Sequence, residues 1–331
     1  MAVELAIDLG STNTVIYKLG SGIVLREPSV VYLELNPKSY NVKEVGLKAK
    51  KMLGRTDEFS AVVYPIVEGG IKNEKLTTEM LKTFINKVVP QKILRPRIKV
   101  LLLLPCGLTE EEILTYKKVV YGANVNKVKI IPNIVASFLG EETTTIGNKG
   151  VMVVNIGGGT TEIGVLSNNV IINGCSLSIG GRTIDNAIAD FIETTFNLKI
   201  SEVTAEKIKN DIGSLFDVDK SNIEFAGVDI LTGQPQTQVI HACDLKPVIE
   251  NFIEKIALTI ETILKGCSPE IIEDVSKVGL YISGGVSQIT GLESFLRKRL
   301  NLPVTISNNY DNAPTIGAGK VLGNPNLLNI I

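Results

Sequence analysis

The sequence predicts an α/β protein built from two similar lobes. Its 331 residues are 44% hydrophobic, which is enough for one large domain or several smaller ones with separate cores. Strand patterns and helix patterns alternate along the chain. A strand, polar turn and strand around Asp8 return around Asn155, at an offset of 147 residues. Such a repeat indicates two lobes that derive from one ancestral unit.

The composition excludes several classes of function. The 34 Lys and Arg residues almost balance the 35 Asp and Glu residues, so charge gives no reason to expect nucleic acid as a partner. The longest dense apolar stretch, Val100–Leu104, is too short to cross a membrane. A single histidine, His241, and four separated cysteines argue against a zinc site or a Ser-His-Asp triad. We expect a cytoplasmic protein with reduced thiols.

The first half of the chain predicts hairpins followed by helices and a buried strand. Apolar runs on both sides of the polar residues 8–14 form the first hairpin, and a further strand follows at Ser21–Leu25. Apolar residues at helical spacing from Leu76 to Val88 predict a helix introduced by Asn73. The remaining predicted elements are a strand at Arg97–Pro105, a helix at Glu110–Tyr121 capped by Thr109, a strand at Lys127–Ile131 and a helix at Asn133–Gly140.

The second half repeats the hairpins and then becomes largely helical. Strands are predicted on both sides of residues 155–161, and another at Asn168–Ile172. Short strands are also predicted within residues 223–241. The predicted helices are Arg182–Phe196, Thr204–Leu215, Pro247–Leu264 ending at Gly266, and Ile289–Leu300, with a buried strand at Gly279–Ile282 before the last of them.

Two glycine-rich turns, one per lobe, predict a clamp for phosphate. Backbone N–H groups of such turns converge on an anion, and small residues let the backbone approach it. They are not P-loops, because the lysine is missing and a strand follows instead of a helix. Alone, Gly157–Gly159 is as typical of a structural turn as of a binding site, but the duplication favours a ligand held between lobes. A third element, Ser283-Gly284-Gly285, ends a buried strand, where ligands often lie against the backbone.

In these motifs the chain resembles the actin, sugar-kinase and DnaK-type chaperone superfamily and, within it, the MreB-type bacterial actins. Further matching segments follow one another over essentially the whole chain: Glu27–Val31, Met52–Thr56, Arg95–Arg97, Gly180-Gly181 with Ile184-Asp185, and Thr204–Lys209. The resemblance implies an actin-like fold with two RNase H-like lobes, each with a smaller inserted subdomain, and a nucleotide cleft between them. The implied first large lobe consists of residues 1–31, 67–146 and the C-terminal segment 314–331, and its small subdomain is 32–66. The second large lobe consists of residues 147–181 and 243–313, and its small subdomain is 182–242.

The resemblance also implies ATP and Mg²⁺ in the cleft and assigns roles to residues. Asp8 would hold Mg²⁺ through water, with Asn155 at the equivalent place in the second motif. The implied phosphate contacts are Gly10, Ser11, Thr12, Asn13, Gly157, Gly158, Gly159 and Thr160. Ribose and adenine would lie near Glu206 and Lys209, which share a helix face, and near Gly284 and Gly285.

Two departures from the family pattern, at Asn133 and Asn155, bear on turnover, and a third, at Val286, lies in the adenosine motif. Asn133 stands where the family has a glutamate that orients the attacking water, although the second water-positioning residue, Thr160, is kept. Asn155 replaces an aspartate, and Val286 replaces a glycine. General-base help is worth about 10²–10⁴-fold in rate, and a neutral amide can orient a water but cannot accept its proton. We therefore expect ATP to bind and to be hydrolysed slowly.

The function implied by the resemblance is a nucleotide-dependent cytoskeletal filament subunit that polymerises into paired protofilaments for cell shape or movement. Its expected partners are other copies of the chain and actin-like paralogues. Two alternatives stay open. The first is a small-molecule kinase, which needs a carboxylate to deprotonate its acceptor hydroxyl, and we find none in a suitable loop. The second is an ATP-binding scaffold or chaperone that does not polymerise. Chaperones of this superfamily carry a separate substrate-binding domain, which we do not expect here.

Peripheral membrane contact is a further expectation from the resemblance. Ile93 and Leu94 lie where the family has an apolar membrane-inserting loop, and nearby lysines and arginines suit anionic lipid at the inner face of the membrane. The alternative is that these two residues begin the strand that follows.

Overall fold

The computed structural model describes residues 2–36, 39–89, 96–141, 149–168, 170–324 and 327. The first half of the chain forms, in order, β1 (Val3–Leu9), β2 (Asn13–Lys18), β3 (Gly22–Pro28), β4 (Val31–Asn36), β5 (Ser39–Val45), α1 (Leu47–Lys50), β6 (Ser60–Val63), β7 (Ile66–Val67), β8 (Gly70–Ile71), α2 (Glu74–Val88), β9 (Ile98–Leu104), α3 (Glu110–Gly122), β10 (Lys127–Pro132) and α4 (Asn133–Gly140).

The second half continues with β11 (Val151–Ile156), β12 (Thr161–Ser167), β13 (Val170–Leu177), α5 (Gly181–Phe196), β14 (Leu198–Lys199), α6 (Glu202–Ile212), β15 (Asn222–Asp229), β16 (Pro235–His241), α7 (Ala242–Lys265), α8 (Pro269–Val278), β17 (Leu280–Ser283), a 3₁₀ turn (Gly285–Gln288), α9 (Leu292–Leu300), β18 (Val304–Ile306) and α10 (Ala313–Gly323).

Two five-stranded sheets have the same strand order. One runs β10-β9-β1-β2-β3 and the other β18-β17-β11-β12-β13. In the first sheet Asp8 pairs with Val15 on the antiparallel neighbour and with Leu103 on the parallel one. In the second sheet Asn155 pairs in the same way with Glu162 and Ser283. The duplication predicted from the sequence is therefore confirmed, down to the register of the strands.

A smaller three-stranded sheet follows the third strand of each large sheet. The first has the order β5-β4-β6, and the second has the order β14-β15-β16. The sequence predicted strands in the second of these regions but not in the first. Strand β5 alternates exposed and half-buried side chains, so its apolar residues are too few to show a strand pattern before the partner strands are known.

Three groups of buried apolar residues form the core. The first lies between the first large sheet and helices α2 and α3, where Phe84 and Tyr116 are fully buried. The second joins the second large sheet to α5 and α7 through residues such as Ile188 and Ile253. The third contains side chains of α4 and α10 together with residues of both sheets, so this helix pair joins the lobes.

Helices α4 and α10 cross with their backbones in contact. A Cβ added to Gly317 would overlap the carbonyl oxygen of Ala136, and one added to Gly140 would overlap that of Ala313. Lys320 of α10 also donates hydrogen bonds to the carbonyl oxygens of Gly140 (3.1 Å) and Glu141 (2.8 Å) at the end of α4. The glycines are needed here because any side chain would push the helices apart.

The predicted starts of α2 and α3 are confirmed. Asn73 Oδ1 accepts a hydrogen bond from Leu76 N at 3.0 Å. Thr109 and Glu112 exchange side-chain and backbone hydrogen bonds in a capping box.

Three other helix starts were predicted wrongly. Helix α6 begins at Glu202, because Ser201 rather than a later residue caps it. Helix α7 begins at Ala242, five residues before Pro247, and Asp244 Oδ2 accepts from His241 N at its start. Helix α9 begins only at Leu292, because the residues before it form the 3₁₀ turn and Gly291 has a φ of 82°. Helices α8 and α10 were not predicted at all.

Over the described ranges, no helix combines the length and the apolar character needed to span a membrane.

Candidate functional site

A cleft of about 440 Å³ lies between the two large sheets and is lined by both glycine-rich turns. All the predicted site residues that fall within the described chain line it: Asp8, Gly10, Ser11, Thr12, Asn13, Asn133, Asn155, Gly157, Gly158, Gly159, Thr160, Glu206, Lys209, Gly284 and Gly285. Ile93 and Leu94, the predicted membrane residues, lie outside the described residues.

The two turns have the same backbone structure. In the first, Gly10 N donates to Asn13 O at 3.1 Å, and in the second, Gly157 N donates to Thr160 O at 2.8 Å. These four residues are related by the same offset of 147 as the strands that carry them. The sequence repeat thus produces two equivalent turns at the ends of equivalent strands.

The turns face each other across the cleft at close range. A Cβ added to Gly158 would overlap the side chain of Thr12, and one added to Gly159 would lie 2.8 Å from Ser11 Cβ. The backbone N–H groups of Ser11, Thr12, Gly158 and Gly159 donate no hydrogen bond within the described part of the chain. Four unused donors in two small-residue turns form a site suited to an anion.

A third glycine-rich segment closes one side of the cleft. Gly284 has a φ of 91°, which side chains rarely tolerate, and a Cβ there would overlap Ile156 O. Its N–H donates to Tyr310 O at 2.7 Å. At Gly285 an added Cβ would meet only Asp311 Oδ1, at 3.4 Å. Gly285 therefore leaves space beside the backbone for a ring system, whereas Gly284 packs against Ile156.

Glu206 and Lys209 both line the cleft, but they do not pair with each other. Lys209 is buried and forms an ion pair with Asp185 at 2.7 Å, and it also donates to Gly181 O at 3.2 Å. Glu206 pairs instead with Lys50 at 2.7 Å. Burial raises the pKa of Asp185 to about 6, although the Lys209 ammonium pulls that pKa down.

Two carboxylates lie at the base of the cleft, the half-buried Asp8 and the buried Glu162. Burial raises the pKa of Asp8 to about 6, against the opposing effect of the Arg26 guanidinium. Burial likewise raises the pKa of Glu162 to about 7, although its hydrogen bonds from Asn133 and Cys106 favour the charged form. Asn155, the counterpart of Asp8, accepts a hydrogen bond from Ser283 Oγ at 3.3 Å. Arg26 lines the same cleft, but its charge only partly offsets the effect of burial on Asp8.

The donors at the base fit Mg²⁺ only when it arrives with phosphate. Among the described residues, no group of three or more His, Cys, Asp or Glu side chains is placed to hold a metal ion. Mg²⁺ usually keeps several waters and takes one or two carboxylates plus substrate phosphates. Asp8, desolvated and beside the turns, matches that pattern.

Sequence reasoning missed Glu162 and the contacts that bridge the mouth of the cleft. Glu162 is 1% exposed on strand β12, and a charged residue inside an apolar strand was the signal that could have found it. At the mouth, Tyr64 OH donates to Glu202 at 3.0 Å, and the Arg182 guanidinium stacks 4.3 Å from the Tyr64 ring. Arg182 also donates to Ser11 O. We call these contacts, together with the ion pair Lys50–Glu206, the mouth contacts. They join the two halves of the chain.

Comparison with known proteins gives matches over the whole chain. The model of the family described as MreB/Mbl protein matches residues 2–330. Cell shape-determining protein MreB of Escherichia coli (strain K12) is 34% identical over 324 residues, which cover 96% of this chain and 93% of that protein. The crystal structures of MreB5 of Spiroplasma citri bound to ADP and to AMPPNP have TM-scores of 0.92 and 27% identity, and each match covers 100% of this chain and 98% or 99% of that one. The MamK double helical filament matches with a TM-score of 0.83 and 19% identity over 98% of this chain and 99% of that chain, a likeness in fold.

Proposed function

Because the chain belongs to the MreB/Mbl family, we propose that it is a cytoskeletal filament subunit of the bacterial actin type, whose assembly depends on a bound nucleotide. The observation that carries this proposal is the pair of equivalent turns, which line one cleft and hold four N–H groups without an acceptor in the described part of the chain. An anion with several phosphate groups is the ligand that such a double clamp would hold. The family matches and the ADP and AMPPNP complexes of MreB5 support a nucleotide as that ligand.

We assign the triphosphate of ATP to the two turns, from Gly10 to Asn13 and from Gly157 to Thr160. The nucleoside would lie towards Gly284 and Gly285, with Glu206 and Lys209 beside the ribose and adenine. Lys209 would line the nucleoside site without adding an unpaired charge, because its ammonium group is already paired with Asp185. Glu206 would accept a hydrogen bond from a ribose hydroxyl through Oε1, while its Oε2 stays paired with Lys50.

Mg²⁺ would be held near Asp8 through water and by the phosphates. When bound, it would neutralise phosphate charge in the cleft and stabilise the ionised form of Asp8. Asn155 offers a neutral carbonyl oxygen at the equivalent place, so the metal would be held more weakly than between two carboxylates. The other residues of the turns bind and orient the phosphates.

Hydrolysis is proposed to be slow. Asn133 lies in the cleft at the start of α4, where the family places a water-activating glutamate, and Thr160 remains as the second water-positioning residue. An amide can hold a water in place but cannot remove its proton. The nucleotide would therefore persist in the triphosphate form, and filaments would be correspondingly long-lived.

Assembly is proposed to be end to end, into paired protofilaments made of copies of this chain, with actin-like paralogues as further partners. We divide the subunit into two large units and two small ones. The first large unit consists of residues 1–31, 67–146 and 314–331, and the second of residues 147–181 and 243–313. The small units are 32–66 and 182–242. The two three-stranded sheets fall within the small units, and these would make the end-to-end contacts. The role would be in cell shape or movement.

Peripheral contact with anionic membrane is proposed through Ile93 and Leu94. Flotation of the protein with vesicles of phosphatidylglycerol and phosphatidylcholine tests it, with Ile93→Ser/Leu94→Ser as the variant. Loss of flotation in the variant is expected, whereas unchanged flotation would show that these residues are not the anchor.

The function as a whole is tested by measuring sedimentation of polymer and phosphate release together. We expect polymer with ATP and with a non-hydrolysable analogue, and slow phosphate release with ATP alone. A chain that stays monomeric by light scattering at every nucleotide, salt and protein concentration would contradict the filament proposal. Absence of ATP binding by calorimetry at millimolar concentration would contradict the nucleotide site.

A further inference from the structure

The environment of Asn133 contains a carboxylate that fixes the orientation of its amide. Asn133 Nδ2 donates a hydrogen bond to Glu162 Oε1 at 2.8 Å. The other oxygen of the same carboxylate, Glu162 Oε2, accepts from Cys106 N at 3.0 Å. Both oxygens of Glu162 are therefore engaged as acceptors, and the carboxylate is held from two sides.

While Glu162 is ionised, this arrangement permits only one orientation of the Asn133 amide. If the amide turned over, Oδ1 would face Glu162 Oε1, and two acceptors would meet without a proton between them. The Nδ2 group must therefore point to Glu162, and Oδ1 must point away from it.

The second observation concerns Oδ1, the oxygen on the other side of the Asn133 amide. Asn133 is 7% exposed, and its Oδ1 is buried without a hydrogen-bond partner among the described residues. A buried acceptor left without a donor is costly. Asn133 also lines the cleft beside the glycine-rich turns, so a molecule bound in the cleft is the candidate donor for this oxygen.

We infer that Glu162 is a positioning residue, which orients the Asn133 amide so that Oδ1 accepts a hydrogen bond from the water that attacks the terminal phosphate. The inference rests on the proposed nucleotide site. In the reaction the water oxygen bonds to the terminal phosphorus, and the bond from that phosphorus to the bridging oxygen breaks. The electron pair of that bond leaves with ADP. The proton lost by the water goes to a phosphoryl oxygen, because the amide cannot take it.

Glu162 acts through Asn133 in this scheme, and a double-mutant cycle tests that dependence. The measured quantities are single-turnover phosphate release and the calorimetric Kd for ATP, in the wild type, Glu162→Gln, Asn133→Ala and the double variant. A glutamine at 162 can face Asn133 with either its oxygen or its NH₂ group, so the amide loses its single orientation. We expect each single variant to lower the rate about 3- to 10-fold, the worth of a hydrogen bond between neutral groups, with the Kd changed less than about threefold. The double variant should be no slower than Asn133→Ala.

Ser137→Ala is the matched control, because Ser137 lies one turn further along α4, is buried, and its Oγ also has no hydrogen-bond partner among the residues that the structure describes. Its rate should equal that of the wild type. Thermal unfolding shows whether each variant is folded; if Asn133→Ala is not, Asn133→Ser takes its place.

Three results would overturn the inference: an unchanged rate in Glu162→Gln, a double variant that is much slower than Asn133→Ala, or a wild-type rate equal to that of free ATP. Failure of the wild type to bind ATP would instead contradict the nucleotide site itself. A crystal structure with a non-hydrolysable analogue gives an independent readout. We expect an ordered water within hydrogen-bond distance of Asn133 Oδ1, and an amide turned the other way would refute the inference.

Discussion

Replacing the buried carboxylate of Glu162 by an amide should change how the stability of the protein depends on pH. Burial raises the pKa of Glu162 from 4.5 to about 7 in the folded chain. Between these two values the folded state holds a proton that the unfolded state has lost, so the free energy of unfolding falls as the pH rises. Each unit of pKa difference corresponds to about 1.4 kcal/mol, which gives about 3 kcal/mol lost between pH 4.5 and pH 7.

The variant Glu162→Gln removes this loss but has a cost of its own. A glutamine keeps one acceptor oxygen, so its NH₂ group must face one of the two donors, Asn133 Nδ2 or Cys106 N. That mismatch costs about 1 kcal/mol. At pH 8 the variant should therefore be about 2 kcal/mol more stable than the wild type, and near pH 4.5 about 1 kcal/mol less stable.

Urea unfolding of both proteins from pH 4.5 to pH 8.5, without nucleotide, measures this difference. Taking the difference between the two curves removes most of the contribution of Asp8, whose pKa is also raised by burial and which interacts electrostatically with Glu162. Two curves that run parallel across the whole range would show that Glu162 is not desolvated as described, and the reasoning would fail.

Three further variants test other features. Gly158→Asp should abolish ATP binding as measured by calorimetry, because a side chain there overlaps Thr12 and adds a negative charge between the turns. The control Gly233→Asp, at an open turn, should bind ATP normally. Retained ATP binding in Gly158→Asp would contradict the proposed clamp. Gly317→Ala should lower the free energy of unfolding by about 2 kcal/mol or more, since its Cβ overlaps Ala136 O. Gly323→Ala is the control, because it lies in the same helix with its nearest neighbour 4.0 Å away and should not lower the free energy of unfolding. Equal effects of the two variants would show that the helices can separate to make room for a side chain. Lys50→Ala should speed release of a fluorescent ATP analogue about threefold while changing stability by less than about 1 kcal/mol, because exposed ion pairs are weak. Lys43→Ala, which breaks the surface pair with Glu34, is its control, and equal release rates in the two would argue against a role of the mouth contacts.

The parts of the fold that repeat could be predicted from the sequence, because two copies of one pattern support each other. The hairpins around Asp8 and Asn155 gave the strands, the turns and their correspondence, and local capping residues such as Asn73 gave helix starts. Helix α7 was predicted five residues short, because Pro247 looks like a helix start and the cap formed by His241 and Asp244 lacks the usual serine or threonine.

The pairing of side chains across the cleft could not be predicted. Lys50 and Glu206 are 156 residues apart, and nothing local to either residue indicates the other. Spacing on the helix suggested that Glu206 and Lys209 act together, but burial gave Lys209 a closer partner in Asp185. The carboxylate beside Asn133 was missed for the same reason, because Glu162 reaches it from a strand of the other sheet.

The duplicated sheets also determine which way round an elongated ligand lies. The clamp is nearly symmetric, but the strand ends beside it are not. Leu103 and Ser283 occupy equivalent register positions, so the place of Gly284 in one lobe is taken by Leu104, a buried side chain, in the other. The pseudo-twofold axis is broken at that point, and also where a charged Asp8 is matched by a neutral Asn155. A nucleotide bound in the cleft as proposed would therefore have a single polarity, with its base directed to the second lobe and its cation to the first.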